Sequence, residues 1–149
     1  MSRCLSIALT AALLALAGCD PGPKSEKGFR LPDGDAVKGK EVFVAMKCHT
    51  CHKVEGVEFP APTGDVGPVT LGGEVLRVKT YGELVTAIIN PSHSLAPGYP
   101  AEKVSKDGKS KMPVFNDTMT VTQLSNLVAF LQAQYKIKRD DDLYYPYGP

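Results

Sequence analysis

The sequence predicts an all-α fold: three main helices joined by long loops rich in Gly and Pro. Two observations predict it. Apolar residues recur at helical spacing in three separate stretches, and two of those stretches open on a capping-box pattern. A third observation is negative: no stretch makes a convincing sheet strand.

The first helix is expected over about residues 34–46. Asp33 or Asp35 can cap its free N–H groups, and Val37, Val42, Phe43 and Met46 form its apolar stripe. The middle helix begins at Thr80-Tyr81-Gly82-Glu83, which has the S/T-x-x-E form. Leu84, Val85, Ile88 and Ile89 then share one face, and Asn90-Pro91 stops the helix. The last helix opens at Thr120-Val121-Thr122-Gln123. Val121, Leu124, Leu127, Val128, Leu131 and Tyr135 repeat along it at helical spacing. Between the helices lie the loops 54–73 and 91–111, and residues 75–78 read as a short extended piece or a turn of helix.

The first helix delivers the chain to Cys48-His49-Thr50-Cys51-His52, a C-x-x-C-H run. This is the attachment signature for c-type haem. Two thiols add across the haem vinyl groups as thioethers, and the histidine after the second cysteine lies under the iron as an axial ligand. The spacing is a physical demand, since two intervening residues let both sulfurs face one porphyrin edge. Two other readings of a C-x-x-C pair fit less well. A thioredoxin-like dithiol wants a βαβ context, and the flanks here are helical. A tetrahedral zinc site wants four ligands, and the remaining cysteines, Cys4 and Cys19, lie in the N-terminal region.

Residues 1–18 read as a signal peptide. Arg3 supplies a short basic region, and the apolar run that follows is too short for a membrane-spanning helix. It ends in Leu16-Ala17-Gly18-Cys19, which resembles a bacterial lipobox. That resemblance implies cleavage before Cys19 and lipid on Cys19, where several acyl chains give stable anchoring. The alternative is an ordinary cleaved signal with an incidental cysteine. Asp20 resembles an inner-membrane retention signal, so the expected location is lipid-anchored on the periplasmic side of a bacterial inner membrane. Covalent haem c is assembled outside the bacterial cytoplasm, so the export signal and the haem motif agree. Residues 19–32 read as a tether, 33–137 as one domain, and 138–149 as a tail with three aspartates and several tyrosines. A domain of this size has a thin core, which a large apolar haem completes.

Over roughly residues 33–137 the chain resembles the class I cytochrome c family. The haem motif at the end of the first helix carries the resemblance, with Gly39 and Phe43 four apart and Leu127 and Phe130 three apart. So does Met112-Pro113-Val114-Phe115, just before the last helix. The resemblance implies the cytochrome c fold around one covalent haem c per chain, attached through Cys48 and Cys51. It implies that the terminal helices cross at Gly39, Phe43, Leu127 and Phe130, with the glycine permitting close approach and the aromatics filling the crossing. It also implies His52 and Met112 as the axial ligands of the haem iron, a pairing that raises the reduction potential relative to His/His. Pro68, in Gly67-Pro68, would offer the carbonyl that orients His52. Met119 is the competing methionine, but it adjoins the helix cap and lacks the following proline. Met46 is too close to Cys48 to reach the opposite face of the ring. His49 and His93 are expected to face solvent, His93 being the ligand only of a bis-histidine alternative.

An iron with two protein ligands has no open position, so the site suits the passing of single electrons. The chain is therefore read as an electron-transfer protein, not an enzyme, that works with redox partner proteins. Lys103, Lys106, Lys109 and Lys111 precede Met112, and Lys47 and Lys53 flank the haem motif. If the loop lies near the haem edge, together they would form a lysine-rich patch steering an acidic partner there; the alternative is a solvated loop whose lysines serve solubility. Globally, 17 Lys and Arg stand against 16 Asp and Glu, which gives no support for nucleic-acid binding. Two alternatives remain open. The Asn90-to-Tyr99 segment followed by Met-Pro-x-Phe resembles cytochrome subunits of exported oxidoreductases. A gas-binding or peroxidatic haem protein would need an open axial site.

Overall fold

The computed structural model describes residues 29–61 and 69–138. The signal peptide, Cys19, most of the tether, Pro68 and the tail beyond residue 138 lie outside the described residues.

Helix α1 spans Ala36–Ala45. Asp35 caps it, its carboxylate accepting from the Val37 and Lys38 amides at 2.8 and 3.2 Å. Gly39, Val42 and Phe43 are buried along one side. Val37 is 74% exposed, a departure from the predicted stripe. The reason is angular: at 100° per residue Val37 falls opposite Gly39, Phe43 and Met46.

Helix α2 spans Tyr81–Ile89 and buries Leu84, Val85 and Ile88. The predicted capping box forms, with Glu83 accepting from the Thr80 amide at 2.7 Å and Thr80 accepting from the Glu83 amide at 3.2 Å. Arg77 grips both oxygens of Glu83, at 2.8 and 2.9 Å. The Arg77 guanidinium, helped by the Thr80 amide, holds the Glu83 carboxyl down at about 2. A depressed carboxylate stabilises the fold above its ordinary value of 4.5, and that contribution is lost as pH falls towards 2. Glu83→Gln is therefore expected to flatten the acid limb of an unfolding titration between those values. The pair is exposed, so added salt is expected to narrow the difference between variant and parent. An acid limb unchanged by the substitution at low salt would refute this.

Helix α3, Ala101–Val104, is a single turn inside what the sequence shows only as a loop. Helix α4 spans Val121–Ala133 and opens on the second predicted capping box, between Thr120 and Gln123. Leu124, Leu127, Val128, Phe130 and Leu131 are buried, whereas Val121 on the first turn is 57% exposed. Tyr135 lies beyond the helix.

Helix α1 packs along α4, and α2 also packs on α4. The α1–α4 crossing depends on a missing side chain. A Cβ on Gly39 would sit 2.0 Å from the Asn126 carbonyl oxygen and 2.6 Å from Phe130 Cβ. Buried Asn126 is not stranded there: its Oδ1 accepts from the Asp35 amide at 2.8 Å, tying the start of α1 to α4. The Phe43 ring lies 5.8 Å from Phe130 and 4.9 Å from Phe59, centroid to centroid. These are ordinary distances for attractive aromatic pairs.

The all-α expectation needs correction. Among the described residues six short strands pair into three two-stranded ladders. β1 (His52–Val54) runs parallel to β2 (Val69–Leu71), and β3 (Gly73–Val75) parallel to β6 (Tyr135–Ile137). β4 (Ser105–Lys106) and β5 (Lys109–Ser110) form a hairpin. Its turn is Asp107-Gly108, with φ of 51° and 74°, the left-handed pair that a two-residue hairpin turn requires. Strands of two or three residues are too short to show a period of two, and parallel partners lie far apart in sequence.

Candidate functional site

The site is built where α1 ends. Lys47 adopts left-handed backbone, φ 57° and ψ 27°, and turns the chain into a 3₁₀ turn over Cys48–Thr50. A side chain in that conformation costs about 1 kcal/mol. The turn holds it there, since the Lys47 carbonyl accepts from both the amide and the hydroxyl of Thr50, at 3.1 and 2.8 Å. The Cys51 amide closes the turn on the Cys48 carbonyl at 3.2 Å. Cys48 and Cys51 are both half-buried and are not joined to each other.

His52 begins β1 directly after the turn. Its Nδ1 lies 3.2 Å from the carbonyl oxygen of Val69, its register partner on β2. The Val69 amide in turn donates to the Cys51 carbonyl at 3.0 Å. A carbonyl can only accept, so Nδ1 is the donor and Nε2 is left as the ring's metal-binding nitrogen. Burial lowers the imidazole below its ordinary value, and the Val69 hydrogen bond partly opposes this. The neutral ring, the form that binds metals, is thereby favoured. A cavity of about 470 Å³ opens beside His52, lined by Val54, Val57, Phe59 and Pro60 along with Lys53 and Glu58.

A family model described as cytochrome c matches residues 36–134, two-thirds of the chain. The chain belongs to the cytochrome c family. No curated protein and no solved structure matches it. Membership makes the protein a c-type haem electron-transfer protein, carrying covalently attached haem c, one to a domain of this kind.

The residues of this cytochrome fit that group. Cys48 and Cys51 present two thiols from one turn, and His52 follows with one nitrogen uncommitted. Apolar Val57, Phe59, Leu71 and Met46, packed against the core, are suited to a flat hydrophobic body. The dithiol reading of the pair loses ground on the same geometry. Burial pushes the Cys48 thiol up to about 11, the opposite of the lowered value that makes a dithiol reactive.

Met112 is half-buried on the segment between β5 and α4. Its amide donates to Ser110 Oγ at 3.1 Å. Beyond it, Asn116 donates to the Ile89 carbonyl at 2.9 Å, fastening the segment to the end of α2. Met119 is placed differently, packed against the hydrophobic core. Pro68 lies outside the described residues; the described carbonyl that meets His52 is that of Val69, one residue on.

Three participants were not legible in the sequence. Val69 acts through its backbone, which no side-chain pattern reveals. Phe59 sits in a loop yet stacks near Phe43, Phe130 and His49. Its only signal is alternation with Val57. His49, expected to face solvent, is half-buried, and among the described residues its Nδ1 meets no hydrogen-bond partner.

Proposed function

We propose that this cytochrome is a membrane-tethered single-electron carrier whose haem iron is held between His52 and Met112. The observation that carries the reading is the His52 imidazole, half-buried, aimed by Val69 and one residue after Cys51. Cys48 and Cys51 hold the haem through thioethers. Val69 fixes the ring plane of His52 and increases its basicity, as an outer hydrogen bond does for a ligating histidine. Val54, Val57 and Phe59 keep water from the imidazole side. Met112 offers a soft, neutral thioether from a segment fastened at Ser110 and Asn116. When bound, the haem supplies one-electron iron chemistry; the chain limits rearrangement between the two oxidation states. Optical spectra of the purified protein in both states test this. A weak far-red band in the ferric form is expected for sulfur ligation, and a ferric spectrum of the bis-histidine or open-site kind would overturn it.

Export, lipidation on Cys19 and residence on the periplasmic side of the inner membrane rest on the lipobox-like run before Cys19. Cys19→Ala is expected to abolish labelling by a lipid precursor and release the protein from membranes. Retained label would refute the anchor. The lysines at 103, 106, 109 and 111, all exposed, support docking of an acidic partner protein. The rate of electron transfer to such a partner is expected to fall steeply with salt, and a flat response would remove the steering.

A further inference from the structure

The 91–100 loop, Pro-Ser-His-Ser-Leu-Ala-Pro-Gly-Tyr-Pro, contributes no ligand in the reading above. Its two ends nevertheless touch the two ligand-bearing segments. Near its C-terminal end, Tyr99 is half-buried and its phenol oxygen accepts from the Thr70 amide at 2.9 Å. Thr70 is the middle residue of β2. In that ladder Val69 and Leu71 turn their groups to β1, the Val69 amide donating to Cys51 and the Leu71 carbonyl accepting from Glu55. The Thr70 amide therefore points away from β1, on the strand's open edge. A parallel pair of three residues is marginal alone. Tyr99 takes the place of a third strand at the one position where β2 has a donor to spare.

Near the loop's other end, Ser92 Oγ accepts from the Ser110 amide at 3.1 Å. Ser110 Oγ accepts in turn from the Met112 amide. Gly98, with φ of 81°, makes the reversal that brings Tyr99 back to β2.

We propose that the 91–100 loop is a strap positioning both iron ligands, with Tyr99 acting on His52 through Thr70 and Val69, and Ser92 acting on Met112 through Ser110. The proposal rests on His52 and Met112 as the ligands. Neither Tyr99 nor Ser92 touches the haem group in this scheme; each sets where a ligand's backbone lies. Tyr99 is the stronger arm because it is half-buried, whereas Ser92 is exposed to competing water.

The test uses the haem-loaded protein and nuclear magnetic resonance. In the parent, the Thr70 amide is expected to be protected from exchange although it lies on an open strand edge. Tyr99→Phe keeps the ring and deletes only the acceptor. It is expected to speed Thr70 exchange about tenfold, and to speed exchange of the His52 ring N–H by a similar factor, with the Val128 amide in α4 unchanged. Ser92→Ala is expected to make the ferric sulfur band disappear at a pH about half a unit lower. An unprotected Thr70 amide in the parent overturns the proposal without any variant. Faster Thr70 exchange with an unmoved His52 ring proton also overturns it, leaving the loop as a backbone fastening only. If the parent shows no sulfur band, the ligand reading has failed instead, and the Thr70 measurements still report on the strap.

Discussion

Met112→Ala should abolish the far-red band of the ferric protein and lower its reduction potential by a few tenths of a volt, within the ~0.8 V over which axial ligands move haem potentials. The direction follows from donor softness. A neutral thioether favours ferrous iron, and its replacement by water or a nitrogen donor removes that preference. The loss should be specific. Met112 is half-buried on a turn, and its segment stays fastened through Lys111, whose amide donates to Val104 at 2.9 Å, and through Asn116. Truncating its side chain should cost only about 1 kcal/mol of stability. Met119→Ala is the control with the opposite signature. Its side chain packs on the core, so it should lose about 2 kcal/mol or more on denaturation and keep the band. A band that survives Met112→Ala and vanishes in Met119→Ala would exchange the two roles.

Gly39→Ala should be the most destabilising small substitution in the protein, by about 3 kcal/mol or more. The added methyl would stand 2.0 Å from a backbone oxygen of α4, so no rotamer change relieves it. The helices must separate, which loosens the Phe43–Phe130 contact and the Asp35–Asn126 hydrogen bond together. Alanine's better helix propensity offsets only about 1 kcal/mol of this. Gly34 makes an informative comparison. A Cβ there would come within 2.1 Å of the Ser125 carbonyl, but Gly34 precedes α1 and is exposed, so the chain has room to shift. Gly34→Ala should therefore cost less. Denaturant unfolding of the haem-loaded protein measures both. A Gly39→Ala loss under 1 kcal/mol would mean the crossing is not as close as described.

The local signals were legible wherever the physics is local. Thr80 with Glu83, and Thr120 with Gln123, pair across three residues, so each helix start can be read from four letters. The C-x-x-C-H run is legible for the same reason, because attachment chemistry constrains neighbouring residues. Gly39 and Phe130 were legible only through resemblance, since the crossing they make joins opposite ends of the domain. What escaped was non-local or carried by backbone. The β1–β2 pairing aims His52 across 17 residues, and its key atom is a carbonyl oxygen that every residue type owns. Asn126 is a polar residue set among apolar residues of α4, and nothing in the sequence says what it meets. It is buried because its amide oxygen has a backbone donor waiting on Asp35, 91 residues earlier. The Asp107-Gly108 hairpin is the exception. Its turn signal was in plain view, inside a stretch treated as loop.

That long reach from Asp35 to Asn126 also orders events in time. A ribosome releases α1 and both thiols well before it makes the helix that α1 must lean on. Until residue 126 has been delivered, α1 lacks its contact with α4 and has only earlier residues such as Phe59 to lean on. The α1–α4 contact can therefore close only after both cysteines have been made.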